Sequence, residues 1–179
     1  MSKAFTRESD DLPDRPLPRL QSVLPPGVKN YLTPDGARRF QEELNRLLEV
    51  ERPTLTAAAS HGDGQRQELQ ALDLRIQQLR QSLHLAEVVP PPPAPWDQVR
   101  FGATVIVRDS RGEESCYRIV GASERDADRG WVSWLSPIAR ALLNARLGQR
   151  VRFIFPSGEE QLEILEISYH ARRGEETEG

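Results

Sequence analysis

His61-Gly62-Asp63-Gly64, followed by Leu69, Leu72, Ile76, Leu79, Leu83 and Ala86 at alternating steps of three and four, is the stretch that decides the fold. Apolar residues spaced in this way trace the a/d seam of a heptad, one face of a helix built to meet another. Upstream, Phe40, Leu44, Leu47, Leu48, Leu55 and Ala58 can line one face of an earlier helix. Gly62 and Gly64 provide the permissive backbone for a reversal between the two. A turn that short forces the helices antiparallel, so the pattern predicts a projecting hairpin with Asp63 at its tip. The stripe is expected to pack the two arms of its own hairpin, which makes the chain a monomer; docking of a partner helix, or an oligomer, is the other use of such a stripe.

Working outward, Thr33-Pro34 has the form of an N-cap followed by proline at the first helical position, with Leu32 placed to staple onto the first turn. The first helix is predicted from Pro34 to about Ala59. Pro53 lies inside it, removing a backbone donor and crowding the preceding turn, so a kink or break is expected near Arg52. The second helix is predicted from about Gln65 to Val88, where Pro90 to Pro93 and Pro95 end it and form a stiff linker over 90–98. Residues 1–30 are rich in proline and alternating charge with sparse apolar residues, so an unstructured or extended arm is expected there, with the hairpin over 31–89.

Past the linker the period changes to two. Val99, Phe101, Ala103, Val105 and Val107 alternate with Arg100, Gly102, Thr104, Ile106 and Arg108, the mark of a half-buried strand. Cys116–Val120, Trp131–Leu135, Val151–Phe155 and Gln161–Tyr169 read as further strands, the last two separated by the turn signal Pro156-Ser157-Gly158. Ser136-Pro137 opens a short helix that runs to Leu143, and Asn144 suits the left-handed residue that closes it. Residues 99–170 thus form an α+β domain of about five antiparallel-leaning strands with one helix on a face, followed by a polar tail at 171–179.

Composition narrows the function. A formal net charge of -3 gives no global pull toward nucleic acid or acidic membranes. Cys116 is the only cysteine, which excludes an intrachain disulfide and a cysteine-based zinc site; its strand position and lack of an activating base predict a buried, inert thiol. His61, His84 and His170 are too scattered to suggest a metal site. No stretch approaches the roughly 20 apolar residues that span a bilayer, and the N-terminus lacks the apolar core of a signal peptide, so a cytoplasmic protein without membrane contact is expected. Trp131 and Trp134, three apart in one strand, should face opposite ways, one into the core and one partly exposed.

Several separated motifs resemble one family. Val99-Arg100-Phe101-Gly102-Ala103-Thr104-Val105, Tyr117-Arg118-Ile119-Val120-Gly121 and Ser136-Pro137-Ile138-Ala139-Arg140-Ala141-Leu142-Leu143 resemble the C-terminal domain of the Gre transcription elongation factors. Tyr31-Leu32-Thr33-Pro34-Asp35-Gly36, Glu51-Arg52-Pro53, His61-Gly62-Asp63 and Ala86-Glu87-Val88-Val89 are similar to the opening, the tip and the close of that family's helical hairpin, in the same order. The resemblance covers about residues 31 to 169. It implies an FKBP-like C-terminal domain that docks on bacterial RNA polymerase, and a coiled coil that enters the secondary channel. It also implies two acidic residues at the tip that help hold a catalytic magnesium ion of the polymerase during cleavage of the 3′ end of backtracked RNA. Such a factor has no cofactor of its own and is not an enzyme by itself; it lends groups to one. On this reading Asp63 is the tip carboxylate and candidate magnesium ligand, Ser136, Pro137, Ile138 and Arg140 belong to the polymerase contact, and Arg52, Arg66 and Arg75 face polymerase or the nascent RNA.

The tip departs from the family pattern, approximately Gly-Asp-x-x-Glu-Asn. Gly62-Asp63 matches, but Arg66 and Gln67 stand where Glu and Asn are expected. Glu68, two positions on, is turned by about 200° from Arg66 on a helix. Magnesium takes hard oxygen ligands, and a guanidinium beside a lone carboxylate repels it and prefers phosphate. The hairpin is also shorter than the family's, and each deleted residue withdraws the tip by about 1.5 Å. Two versions of the function stay open, one in which Asp63 assists cleavage and one in which the tip occupies the channel without stimulating it. An FKBP-like prolyl isomerase or chaperone, and an interaction module recruited through the proline-rich arm, are readings of other classes. The structural alternative for the arginines is a solvated face with intrahelical ion pairs to Glu42, Glu43 and Asp73, and for Ser136 and Pro137 it is simply the start of a helix.

Overall fold

The computed structural model describes residues 24–58 and 62–169; the arm before Leu24, His61 and the tail beyond Tyr169 lie outside them. The chain starts with a short strand, β1 (Asn30–Leu32), and Thr33 then caps α1 (Pro34–Arg46), its hydroxyl accepting the Gly36 N–H at 3.0 Å. The disturbance expected from Pro53 is a π-helical segment, Leu47–Glu51, ahead of α2 (Arg52–Ala58). Proline lacks the N–H that would bond four residues back, and its ring crowds that carbonyl. The chain answers with a wider turn, in which the Arg52 N–H reaches Leu47 O, five residues back.

The return helix, α3 (Asp63–His84), starts two residues earlier than the sequence predicts and stops sooner. Residues Ala86–Val88 are not its last turn but a strand, β2, paired in parallel with β1 in the register Asn30 to Ala86 and Leu32 to Val88. The Asn30 side chain donates to Ser82 O at 2.8 Å and Val89 N donates to Leu32 O, so the backbone bonds that a longer helix would have made go to β1 instead. Cross-links between the arms, Glu43 with Arg75 and Arg52 with Asp73, fix them as antiparallel. The heptad stripe is their shared core: Leu72, Ile76 and Leu79 are buried against Phe40, Leu44 and Leu47, with Leu32 at the base and Leu48, Leu55, Leu83 and Ala86 packed around them.

The second unit is a five-stranded sheet in the order β5-β4-β3-β7-β6. Its strands are β3 (Thr104–Arg108), β4 (Glu114–Val120), β5 (Trp131–Ser133), β6 (Arg150–Phe155) and β7 (Gly158–Ser168). It is mixed rather than antiparallel throughout, because β5 pairs with β4 in parallel after the chain loops back through a 3₁₀ turn at Ala122–Glu124. The strand expected from Val99 begins only at Thr104; Gly102, at φ 86°, turns the chain first. A bulge in β7, where the register jumps from Ile106–Glu166 to Val107–Ile164, bends the sheet locally. The short helix α4 (Pro137–Leu142) starts as predicted, with the Ser136 hydroxyl accepting Ala139 N–H at 3.3 Å, and Asn144 follows at φ 68°. Ala139 and Leu142 close the core over Val105, Val107, Ile119, Leu162 and Ile164.

The proline linker is pinned to the sheet domain at its far end. The Trp96 indole N–H donates to Pro92 O at 3.0 Å and its ring meets Tyr169 with centroids 5.5 Å apart. The Tyr169 hydroxyl accepts Arg100 N–H at 3.0 Å and donates to Gln98 O; burial raises the phenol above its ordinary pKa, partly offset by the Arg100 N–H. Cys116 is exposed, contrary to the expectation of a buried thiol. In β4, Tyr117 and Ile119 point to the core, while Cys116 shares the other face with Arg118 but lies beyond the part that the hairpin covers.

The hairpin core is narrow, so each layer counts. Leu79→Ala, at a side chain 1% exposed, is expected to lower stability in chemical denaturation by about 2–5 kcal/mol, while the Trp fluorescence transition of the sheet domain moves less.

Candidate functional site: the hairpin tip, its arms and the joint

Asp63 is the first residue of α3, with Gly62 in extended backbone before it as an N-cap that has no side chain to offer the helix. Its carboxylate is 92% exposed, and Arg66 lies one turn on, donating from Nη1 to Oδ1 at 3.3 Å. Carboxylate and guanidinium therefore sit side by side at the end of the rod. Glu68 is exposed two residues further along. Among the described residues no group of three or more His, Cys, Asp and Glu side chains is arranged to hold a metal ion. A lone carboxylate already paired with a guanidinium does not make a magnesium site on this chain.

The other two arginines assigned to RNA or polymerase are engaged elsewhere. Arg75 makes a two-pronged contact with Glu43, at 2.8 and 2.9 Å, and Arg52 Nε lies 2.8 Å from Asp73. These pairs cross between the arms and are not the intrahelical pairs expected, because the antiparallel packing brings the helix edges flanking the apolar seam together. Arg38 does pair along its own helix, with Asp35 at 3.2 Å and Glu42 at 4.0 Å.

At the hairpin's base is a joint to the sheet domain, built around the turn that connects β4 to β5. Glu124, in the 3₁₀ turn after β4, is 4% exposed. Its Oε2 accepts Thr33 N–H at 2.9 Å and Gly121 N–H at 3.0 Å, and its Oε1 accepts the Thr33 hydroxyl. Arg39 Nη2 approaches Oε1 at 3.6 Å, an ion pair too long for a hydrogen bond. Arg39 lies 4.4 Å from the centre of the Trp131 ring, which Arg118 and Arg129 also approach at 5.1 and 5.2 Å. Burial holds the Arg39 guanidinium below its ordinary pKa, with Glu124 opposing the shift. Arg118, itself buried, donates to Asp35 at 3.0 Å. Tyr31 packs against Phe101 and Trp134, with centroids 5.8 and 5.1 Å apart. Of the tryptophans on β5 and its extension, Trp131 is buried under arginines and Trp134 is half-buried.

Glycine permits this approach. A Cβ on Gly36 would fall inside the Glu124 carboxylate, and one on Gly121 would collide with Tyr31 O. The Gly121-x-x-Glu124 spacing was the available signal, a carboxylate able to reach back to a backbone N–H three residues earlier; what burial would do to it was not readable.

On the sheet domain, the residues assigned to the docking contact lie together on the first turn of α4. Pro137 and Arg140 are exposed, while Ser136 and Ile138 are half-buried.

Residues 93–169 match the family model described as "Transcription elongation factor, GreA/GreB, C-term". The chain is 38% identical over 156 residues to transcription elongation factor GreB of Neisseria meningitidis serogroup A, covering 79% of this chain and 95% of that protein. It is 39% identical over 152 residues to transcription elongation factor GreA of Alkalilimnicola ehrlichii, covering 77% and 96%. The chain belongs to the GreA/GreB family of transcription elongation factors. Among solved structures, GreA factor homolog 1 (Gfh1) of Thermus thermophilus aligns loosely, with a TM-score of 0.38 and 23% identity over 79% of this chain and 99% of its own.

The cross-arm pair between Glu43 and Arg75 joins side chains 27% and 46% exposed. A double-mutant cycle on Glu43→Gln and Arg75→Gln should return a coupling of about 0.5–1 kcal/mol that shrinks in high salt.

Proposed function

We propose that this protein is an elongation factor that acts in the cytoplasm on bacterial RNA polymerase. Its FKBP-like sheet domain, residues 99–169, docks on the enzyme, and its coiled-coil hairpin enters the channel leading to the active centre. The observation that carries this reading is the separation of the molecule into a body with an exposed docking turn on α4 and a narrow rod with an exposed carboxylate at its end. Family membership supplies the partner class. Asp63 can bring one oxygen toward a magnesium ion held by the polymerase, and Arg66 can meet a phosphate of the nascent RNA 3′ end.

The contact between Arg66 and Asp63 favours the version in which the tip occupies the channel and stimulates little cleavage. In water an exposed pair of this kind contributes little. Inside a channel of lower effective dielectric the same pair is stronger, and a carboxylate held by a guanidinium is a poorer metal ligand. In assays on stalled, backtracked polymerase, release of 3′ RNA fragments should stay near background with the native chain and be unchanged by Asp63→Ala. Arg66→Glu, which puts a second acid at the tip, should raise release by about tenfold or more. Strong cleavage by the native chain that Asp63→Ala abolishes would support the cleaving version instead.

Docking is tested apart from the tip. Arg140→Glu should weaken capture of purified polymerase by about tenfold or more at low salt, the scale of one lost charged contact, with the circular dichroism spectrum unchanged. Equal capture would remove α4 from the interface.

A further inference from the structure

We infer that Glu124 is a positioning residue whose buried carboxylate sets the direction in which the hairpin leaves the sheet domain, and with it the place of Asp63 relative to α4. The positioning concerns the free protein; only its consequence for the tip rests on the proposed function.

The hairpin core around Leu79 and the sheet core around Ile164 are separate clusters, so no continuous apolar interior fixes one unit against the other. Among the described residues, the contacts that join them besides the linker include Tyr31, on Phe101 and Trp134, the close approach of Leu32 to Gly121, and the polar group around Glu124. That group defines an orientation because of how its bonds are shared. One oxygen, Oε2, takes one N–H from the hairpin (Thr33) and one from the sheet domain (Gly121). The other, Oε1, takes the hydroxyl of Thr33, the same hydroxyl that accepts Gly36 N–H and so caps α1. The carboxylate is bonded into the first turn of the rod, and hydrogen bonds are directional, so the helix axis is referenced to Glu124.

Glycine at Gly36 on one side and Gly121 on the other leaves no room for even a methyl group between the units. Asp35 with Arg118, and Arg39 over Trp131, flank the carboxylate with further contacts between the units. The lever is long: α3 has 22 residues, about 33 Å at 1.5 Å each, so a rotation of about 10° at the joint moves the tip by roughly 6 Å. Active centres respond to displacements of about 1 Å.

The test uses the full chain with Cys116→Ser, and with Gln67→Cys at the tip and Leu147→Cys on the sheet domain to carry spin labels. Electron–electron double resonance should give one narrow distance distribution. Glu124→Gln can keep a carbonyl toward the Thr33 and Gly121 N–H groups only by turning its NH₂ onto the Thr33 hydroxyl and Arg39, which removes the acceptor of that hydroxyl and the counter-charge of the guanidinium, and Gly36→Ala inserts a methyl from the opposite side while favouring the helix itself. Both should shift the distribution or broaden it at least twofold. Thr33→Val, which exchanges the hydroxyl, and with it the α1 cap, for a methyl, should broaden it with helix content by circular dichroism kept, and Thr33→Ser, which keeps the hydroxyl, should restore the parent distribution. Should Glu124→Gln fail to fold by circular dichroism, Gly36→Ala and Thr33→Val decide. Parent-like distributions in folded Gly36→Ala and Thr33→Val would overturn the inference and leave the direction to Tyr31 and the linker. On polymerase, variants that broaden the distribution should be captured like the parent, yet show a several-fold lower yield from a photo-crosslinker at Gln67. No capture of the parent would sink the functional reading while leaving the distance result standing.

Discussion

A single carboxylate buried between two structural units is the constraint on which this architecture depends. Removing Glu124 from water is costly unless every oxygen finds donors. The donors here come from both sides: Thr33 from the hairpin, Gly121 from its own turn, and Arg39 as counter-charge. Once buried, the group tolerates little displacement, because moving either unit strands a charge. Two small cores that do not merge thereby become one molecule of defined shape. Gly36 and Gly121 are part of the same solution, since the absence of Cβ atoms lets the carboxylate reach the backbone.

The hairpin is governed by a different balance. Its core is one side chain deep on each arm, so the rod needs help along its edges. Arg52 and Arg75 provide it by pairing with Asp73 and Glu43 across the seam. Arginines that look in sequence like a surface for phosphate are therefore partly spent on holding the arms together. Pro53 sets a second limit: the π-helical turn at Leu47–Glu51 accommodates it while Leu47 stays buried and Leu48 and Leu55 stay packed on the core.

The tip is where these constraints end. The Asp63 side chain is almost fully exposed, and among the described residues its partner is Arg66. A carboxylate beside a guanidinium is close to neutral at long range and bipolar at short range, and its behaviour is set by what surrounds it. In solvent the pair is screened. The rod's contribution is therefore placement, and the chemistry at its end belongs to whatever environment the tip enters.

Much of this was legible from residue patterns, because local rules decide it. The heptad stripe from Leu69 to Leu83, the cap and proline at Thr33-Pro34 and Ser136-Pro137, the disturbance at Pro53 and the left-handed Asn144 follow from periodicity and backbone preference within a few residues. Asp63 at the tip and its replaced acidic partner were equally visible, since both depend on adjacent positions. Only the tertiary structure decided the rest. Ala86–Val88 leave the helix because β1, over 50 residues away, offers them backbone partners. Cys116 is exposed because the hairpin covers only part of one sheet face. Arg52 and Arg75 bridge the arms because antiparallel packing brings acids beside them. Glu124, in the turn after β4, becomes the centre of the joint because Thr33, 91 positions away, is folded onto it. The sequence by itself determined the elements and the residue at the tip; long-range burial and donor sharing decided which way that tip points.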